Sequence, residues 1–98
     1  MRLHDLAHGR TGDKGDVSNI SVIAYRAEDF PRLLADLTPA RVAAHLGQPE
    51  ASVTRHVLPQ LQALNFVLRG ALTGGVTRSL ALDAHGKCLS SVLLDMDL

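Results

Sequence analysis

Two glycine-rich stretches of this sequence combine glycines with charged side chains in a way that is suited to binding a charged ligand. The first, GRTGDKGD at residues 9–16, has a glycine at every third position, with Arg10, Asp13 and Lys14 between the glycines and Asp16 after the last one. Successive glycines can present backbone N–H groups to an anion, and arginine and lysine add charge-assisted donors. The first stretch therefore predicts a loop that binds a phosphate, sulfate or carboxylate group.

Two aspartates in the same stretch complicate this interpretation, because Asp13 and Asp16 would repel an anion. We expect one of them to cap the turn and the other to pair with Lys14 or Arg10, which would keep the paired carboxylate charged. A tight turn between two strands accounts for the same residues without any ligand, and the sequence alone leaves both interpretations open. The stretch is not a P-loop, because no hydroxyl follows its lysine, and it is not a dinucleotide fingerprint, because a strand-like segment follows it.

The second stretch, LTGGVTRS at residues 72–79, places an arginine in an apolar pattern. Arg78 alternates in phase with apolar residues on either side, so it needs a carboxylate, a ligand or a subunit interface. The aspartates of the first stretch are candidate partners, which predicts that the two stretches meet in space. The predicted ligand-binding residues are Arg10, Gly12, Asp13, Lys14, Gly15, Asn65, Gly74, Gly75, Thr77 and Arg78.

Asn65 belongs to this set because it interrupts an apolar pattern. It shares one predicted helical face with Leu61, Leu64 and Leu68. A buried amide without a partner costs about 1–3 kcal/mol, so we expect Asn65 either to bond to a neighbouring loop or to face a pocket.

The histidines and the cysteine give weaker evidence of a functional site. His4 and His8 could form part of a metal site, but no third ligand is identifiable by spacing, so we predict partly exposed histidines and no metal. Cys88 is the single cysteine; it lies on an apolar stripe and is interpreted as a buried structural thiol. No catalytic residue and no cofactor can be assigned.

The composition restricts the class of protein. A chain of 98 residues is typical of one domain, and ten basic against ten acidic residues give no excess charge for binding nucleic acid. No apolar run is long enough for a membrane span, and the first residues do not resemble a signal peptide. With one cysteine and no internal disulfide, we expect a cytoplasmic protein.

Hydrophobic periodicity predicts an α+β fold in which helices pack on a mostly antiparallel sheet. Thr38 and Pro39 are typical of a helix start, and Gly47 of a helix end. The tail after Cys88 is ambiguous and is interpreted as a helical turn followed by a strand. The predicted elements are a strand at 3–8, the glycine loop at 9–16, a strand at 17–25, helices at 29–37 and 38–47, a strand at 52–58, a helix from Pro59 to Gly70 and a strand at 76–83.

Longer stretches resemble a known family. AHGRTGDKGDVSNISVIAYR and LPQLQALNFVLRGALTGGVTRSLALDAHGKCL are similar to the AtuA-like ferredoxin-fold domain, which is associated with acyclic terpene utilisation. The resemblance implies a ferredoxin-like two-layer sandwich and a role in catabolism of terpenoid or branched acyl compounds as acyl-CoA thioesters. It also implies a larger AtuA-type partner, because in many relatives the domain follows a larger one. The matching motif positions are His8, Arg10, Gly12, Asp13, Lys14, Gly15, Asn65, Gly74, Gly75, Thr77, Arg78 and Ser79.

Two functions remain open at this point. The chain is expected to be either an accessory subunit of an acyl-CoA-related enzyme system with a polar or anion-binding site, or an assembly module. The module would dimerise or dock on a larger AtuA-type subunit, with the glycine stretches as internal braces. A free-standing enzyme that uses His8 and an aspartate of the first stretch is a weaker third possibility, since so small a domain seldom forms a complete pocket.

Overall fold

The computed structural model describes residues 1–14, 17–69 and 88–98. Within these ranges, four strands form one antiparallel sheet and helices cover one of its faces, so the predicted α+β, ferredoxin-like class is confirmed. The spatial order of the strands is β1-β2-β4-β3. The strands are β1 (Ala7–Lys14), β2 (Val17–Ala24), β3 (Val53–Leu58) and β4 (Ala63–Arg69), and the helices are α1 (Phe30–Asp36), α2 (Pro39–Leu46) and α3 (Cys88–Leu94).

The first glycine stretch is mainly a strand, so the prediction of a loop at 9–16 was wrong. β1 pairs residue by residue with β2, from Ala7 opposite Ala24 to Lys14 opposite Val17. Only residues 15 and 16 lie between the two strands. The predicted strand at 3–8 was also wrong in its placement, because Leu3–Asp5 form a 3-10 turn before β1 begins.

The segment after Pro59 is a second correction, because it is a strand and not a helix. Pro59–Leu61 form a 3-10 turn, Gln62 adopts the left-handed conformation at φ 48°, and the chain returns as β4. Buried residues of β4 alternate with half-buried ones over residues 64–68. The apolar spacing fits a helix and a strand equally well, and pairing with β2 and β3 selects the strand.

The two helices between β2 and β3 form as predicted, since their ends are encoded locally. Thr38 caps α2 by accepting a hydrogen bond from the Arg41 backbone N–H at 3.2 Å, and Gly47 ends it with φ 70°. Asp29 precedes α1 but makes no side-chain cap hydrogen bond. α1 buries Phe30 and Leu33 against the core.

One continuous core lies between the sheet and the helices. β2 contributes Ile20 and Val22 to it, β4 contributes Phe66, and Leu93 enters from α3. The tail forms the helix α3 and then a single antiparallel bridge, with Asp97 opposite Arg2. The prediction of a helical turn is therefore confirmed, and the predicted strand after it is reduced to this bridge. No helix in the described part of the chain is long and apolar enough to cross a membrane.

Candidate functional site

The residues of β1 alternate between two environments. Gly9 lies against α3, since a Cβ atom there would be 3.5 Å from the side chains of Leu94 and Ser90. Thr11 also faces α3, because its hydroxyl accepts a hydrogen bond from the Ser90 backbone N–H at 2.9 Å. The intervening residues, including Arg10, therefore lie on the opposite side of the sheet.

We call this side, away from the described helices, the second face. Directly opposed residues in an antiparallel pair share a face, so the strand register assigns its members. They are His8, Arg10, Gly12, Val17, Asn19, Ser21, Ile23, Thr54, His56, Leu58, Ala63, Asn65, Val67 and Arg69.

A polar row crosses all four strands of the second face. Arg10 lies opposite Ser21, Ser21 opposite Asn65, and Asn65 opposite His56. The Asn65 side chain donates to Ser21 Oγ at 3.0 Å and to Asn19 Oδ1 at 3.4 Å. Asn65 therefore bonds to two side chains of the neighbouring strand β2 and not, as one of the two expectations had it, to a loop.

A small polar pocket of about 220 Å³ opens beside this row and is lined by Arg10, Thr11, Gly12, Asn19 and Ser21. Gly12 leaves room for the carboxamide of Asn19, because a Cβ atom at position 12 would lie 3.0 Å from Asn19 Nδ2. The hydrogen bond from Asn65 occupies the oxygen of the same carboxamide. The nitrogen of Asn19 is therefore turned toward Gly12 and can donate to a group in the pocket.

The second face is basic although the chain as a whole has no formal net charge. Arg10 and Arg69 both lie on it and are exposed, and His8 and His56 add two imidazoles. Among the side chains that the structure describes, no aspartate or glutamate lies on this face. Within the described part of the chain, an anion approaching this face would therefore meet donors and positive charge and no carboxylate.

The structure brings together three of the predicted site residues, Arg10, Gly12 and Asn65. The backbones of Asp13 and Lys14 belong to β1, opposite Ser18 and Val17, and not to a loop. The remaining predicted residues, Gly15, Gly74, Gly75, Thr77 and Arg78, lie outside the described residues. The meeting of the two glycine stretches stays a prediction.

Sequence reasoning missed Asn19 and Ser21, which line the pocket and bind Asn65. Both are polar residues within an apolar strand, VSNISVIAY, and that interruption was the available signal. Their importance depends on register, since it places Ser21 directly between Arg10 and Asn65.

A wider groove of about 540 Å³ lies between α2 and the ends of the chain. Its arginines already hold the backbone of the tail: Arg2 donates to the Asp95 carbonyl at 2.8 Å, and Arg41 to the Asp97 carbonyl at 3.1 Å. The carboxylates of Asp95 and Asp97 line the same groove. Because positive and negative groups alternate there, this groove is a poorer anion site than the second face.

The two histidines considered for a metal site lie in different elements. His4 is in the first 3-10 turn beside Asp5, with Nδ1 3.5 Å from a carboxylate oxygen. His8 is on β1 and stacks on Tyr25. Within residues 1–14, 17–69 and 88–98, no three histidine, cysteine or acidic side chains are grouped so as to hold a metal ion. Cys88 begins α3.

Comparison with known proteins gives one match. The family model described as the AtuA ferredoxin-like domain matches residues 1–98, and the chain belongs to this family. No curated protein and no solved structure matches the chain.

Proposed function

From its membership of the AtuA ferredoxin-like domain family and the chemistry of its second face, we propose that this chain is an anion-binding accessory subunit of an acyl-CoA-related catabolic enzyme system. The anion would bind in the pocket beside Arg10. The association of the family with terpene utilisation favours terpenoid or branched acyl-CoA thioesters as the ligand class, and a larger AtuA-type protein as the partner.

The observation that carries this proposal is the set of donors around the pocket. Arg10 offers a planar guanidinium, which suits the paired oxygens of a phosphate or carboxylate. Asn19 adds a carboxamide nitrogen held in place by Asn65, and Ser21 adds a hydroxyl. A fixed donor set of this kind binds an anion with little loss of side-chain entropy, because the hydrogen bonds already restrict the amides.

Calorimetric titration with inorganic phosphate, pyrophosphate and an acyl-CoA tests the proposal directly. Hydrogen bonds to charged groups contribute about 1.5–3 kcal/mol, so Arg10→Gln should weaken binding by about 10- to 100-fold. The matched control is Arg32→Gln on α1, where an exposed arginine pairs with Asp36 at 3.5 Å on the helical layer. This variant should bind like the wild type.

The same titrations can refute the proposal. If Arg10→Gln and the wild type bind every anion equally, or if the wild type binds none of them, the second face is not an anion site. Raising the salt concentration should weaken binding to the wild type more than to Arg10→Gln, because the guanidinium charge is screened.

A second candidate function, assembly, is favoured by exposed apolar side chains at the end of β3 and in the turn that follows it. β3 is an outer strand of the described sheet, and it ends in Val57 and Leu58, which are 41% and 38% exposed. Leu61 in the following turn is 63% exposed. Exposed edges with apolar side chains favour pairing with another chain. A second copy of this chain would present the same exposed side chains to the first.

Sedimentation velocity tests whether the chain self-associates through this edge. The wild type should form dimers, Leu61→Asp should be monomeric, and the neighbouring exposed substitution Gln60→Asp should leave the dimer intact. A wild type that stays monomeric at high protein concentration would rule out self-association through this edge.

A further inference from the structure

The chain has one aromatic side chain held at its surface. Of its three aromatic residues, Phe30 and Phe66 are buried in the core, whereas Tyr25 is 62% exposed. Tyr25 is nevertheless fixed in position. Its backbone N–H donates to the Leu6 carbonyl at 3.0 Å, and its ring stacks on the His8 imidazole with centroids 5.3 Å apart and planes inclined by 28°.

This ring lies next to the anion site. His8 and Arg10 occupy successive positions on the second face of β1, which are about 6.6 Å apart along a strand. The stacked pair and the guanidinium are therefore neighbours on one surface. A ligand that spans one strand repeat could contact both.

An isolated exposed tyrosine would need no explanation. Tyr25 differs because its partner already orients the ring and because the adjacent guanidinium of Arg10 lines a pocket. A ring ordered before binding provides a stacking surface at low entropic cost. Nucleotide bases and similar planar groups stack on such surfaces.

We propose that the second face selects anions that carry a planar aromatic ring, as nucleotides do, with the ring stacked on Tyr25 and the phosphate bound by Arg10. This inference rests on the proposed anion site and specifies its ligand class. It assigns a binding role to Tyr25, which the sequence patterns did not single out.

Three probes separate the two halves of such a ligand: adenosine 5′-monophosphate, ribose 5-phosphate and adenosine. The monophosphate should bind about 5- to 150-fold more tightly than ribose 5-phosphate, which is the range expected for stacking by a single base. Adenosine, which lacks the anion, should bind more weakly than the monophosphate. Because Tyr25 is the single tyrosine and the chain has no tryptophan, its ring protons can be followed by NMR, and they should shift with the monophosphate.

Variants at position 25 complete the experiment. Tyr25→Leu should lower the affinity for the monophosphate to that of ribose 5-phosphate without changing ribose 5-phosphate binding, and Tyr25→Phe should bind like the wild type. Equal affinities for the two phosphates, with both lost in Arg10→Gln, would overturn the role of Tyr25 while leaving the anion site in place. If neither phosphate binds to the wild type, both proposals fail.

Discussion

Two glycines in β1 should respond in opposite ways to the same substitution, because they lie on opposite faces of the sheet. Neither requires a left-handed backbone: Gly47 is the glycine with positive φ among the described residues. A Cβ atom at Gly12 would lie 3.0 Å from the carboxamide of Asn19, whereas one at Gly9 would lie 3.3 Å from the Ser21 carbonyl and 3.5 Å from α3.

For Gly12→Ala we expect almost no change in stability and a clear loss of anion affinity. The added methyl group removes backbone freedom from the unfolded chain, which stabilises the fold by about 0.4–1 kcal/mol. The contact with Asn19 offsets that gain. Asn19 is half-buried and its oxygen is held by a long bond of 3.4 Å, so its carboxamide can move by a few tenths of an ångström. The net change should stay within about 0.5 kcal/mol of zero.

The new methyl group lies beside the Asn19 nitrogen and displaces it, which weakens or removes the hydrogen bond that this nitrogen can donate into the pocket. One neutral hydrogen bond contributes about 0.5–1.5 kcal/mol to the free energy of binding. Its loss should therefore lower anion affinity about 2- to 12-fold. Urea denaturation followed by circular dichroism measures the free energy of unfolding, and calorimetric titration with phosphate measures the affinity.

Gly9→Ala is the matched control in the same strand. Its new methyl group would be in ordinary contact with α3 but would crowd the Ser21 carbonyl oxygen at 3.3 Å, and this backbone atom belongs to the paired strand β2 and cannot move freely. Overpacking of this kind costs about 1–3 kcal/mol, so the fold should lose about 1 kcal/mol after the entropic gain, or about 4–8 °C in Tm. Anion affinity should not change. If Gly12→Ala is the more destabilising of the two and leaves affinity intact, Gly12 is a structural glycine and the pocket argument is wrong.

Two further substitutions test how the layers are held together. Arg55 Nη1 donates to the Leu34 and Leu37 carbonyls at 2.8 and 2.9 Å, at the end of α1. Arg55→Leu removes both hydrogen bonds, so the free energy of unfolding, measured in urea, should fall by about 2 kcal/mol. A change below about 0.5 kcal/mol, typical of a surface residue, would show that the hydrogen bonds of Arg55 do not contribute to stability. Asn65→Ala removes two neutral hydrogen bonds and should cost about 1–2 kcal/mol. It should also weaken phosphate binding, because Asn19 loses its anchor; unchanged binding would contradict that coupling.

The sequence by itself determined the features that depend on neighbouring residues. Thr38 caps α2 and Gly47 ends it because their partners lie within one helical turn, so composition and spacing are sufficient to place them. β2 and β3 were predicted close to their actual bounds, since β-branched residues and flanking turns mark them. The glycine-rich stretch and the interrupted apolar pattern placed Arg10, Gly12 and Asn65 among the predicted site residues, and the family motifs include the same positions.

Tertiary structure alone decided how those residues meet. The glycines of β1 favoured a loop and the leucines around Asn65 favoured a helix, yet both segments are strands because each pairs with β2. β1 pairs with the strand that follows it and β4 pairs with a strand more than 35 residues earlier in the chain, and local propensity encodes neither pairing. Register then determines which side chains share a face, so the grouping of Arg10, Ser21 and Asn65 on a basic surface could not be derived from spacing along the chain.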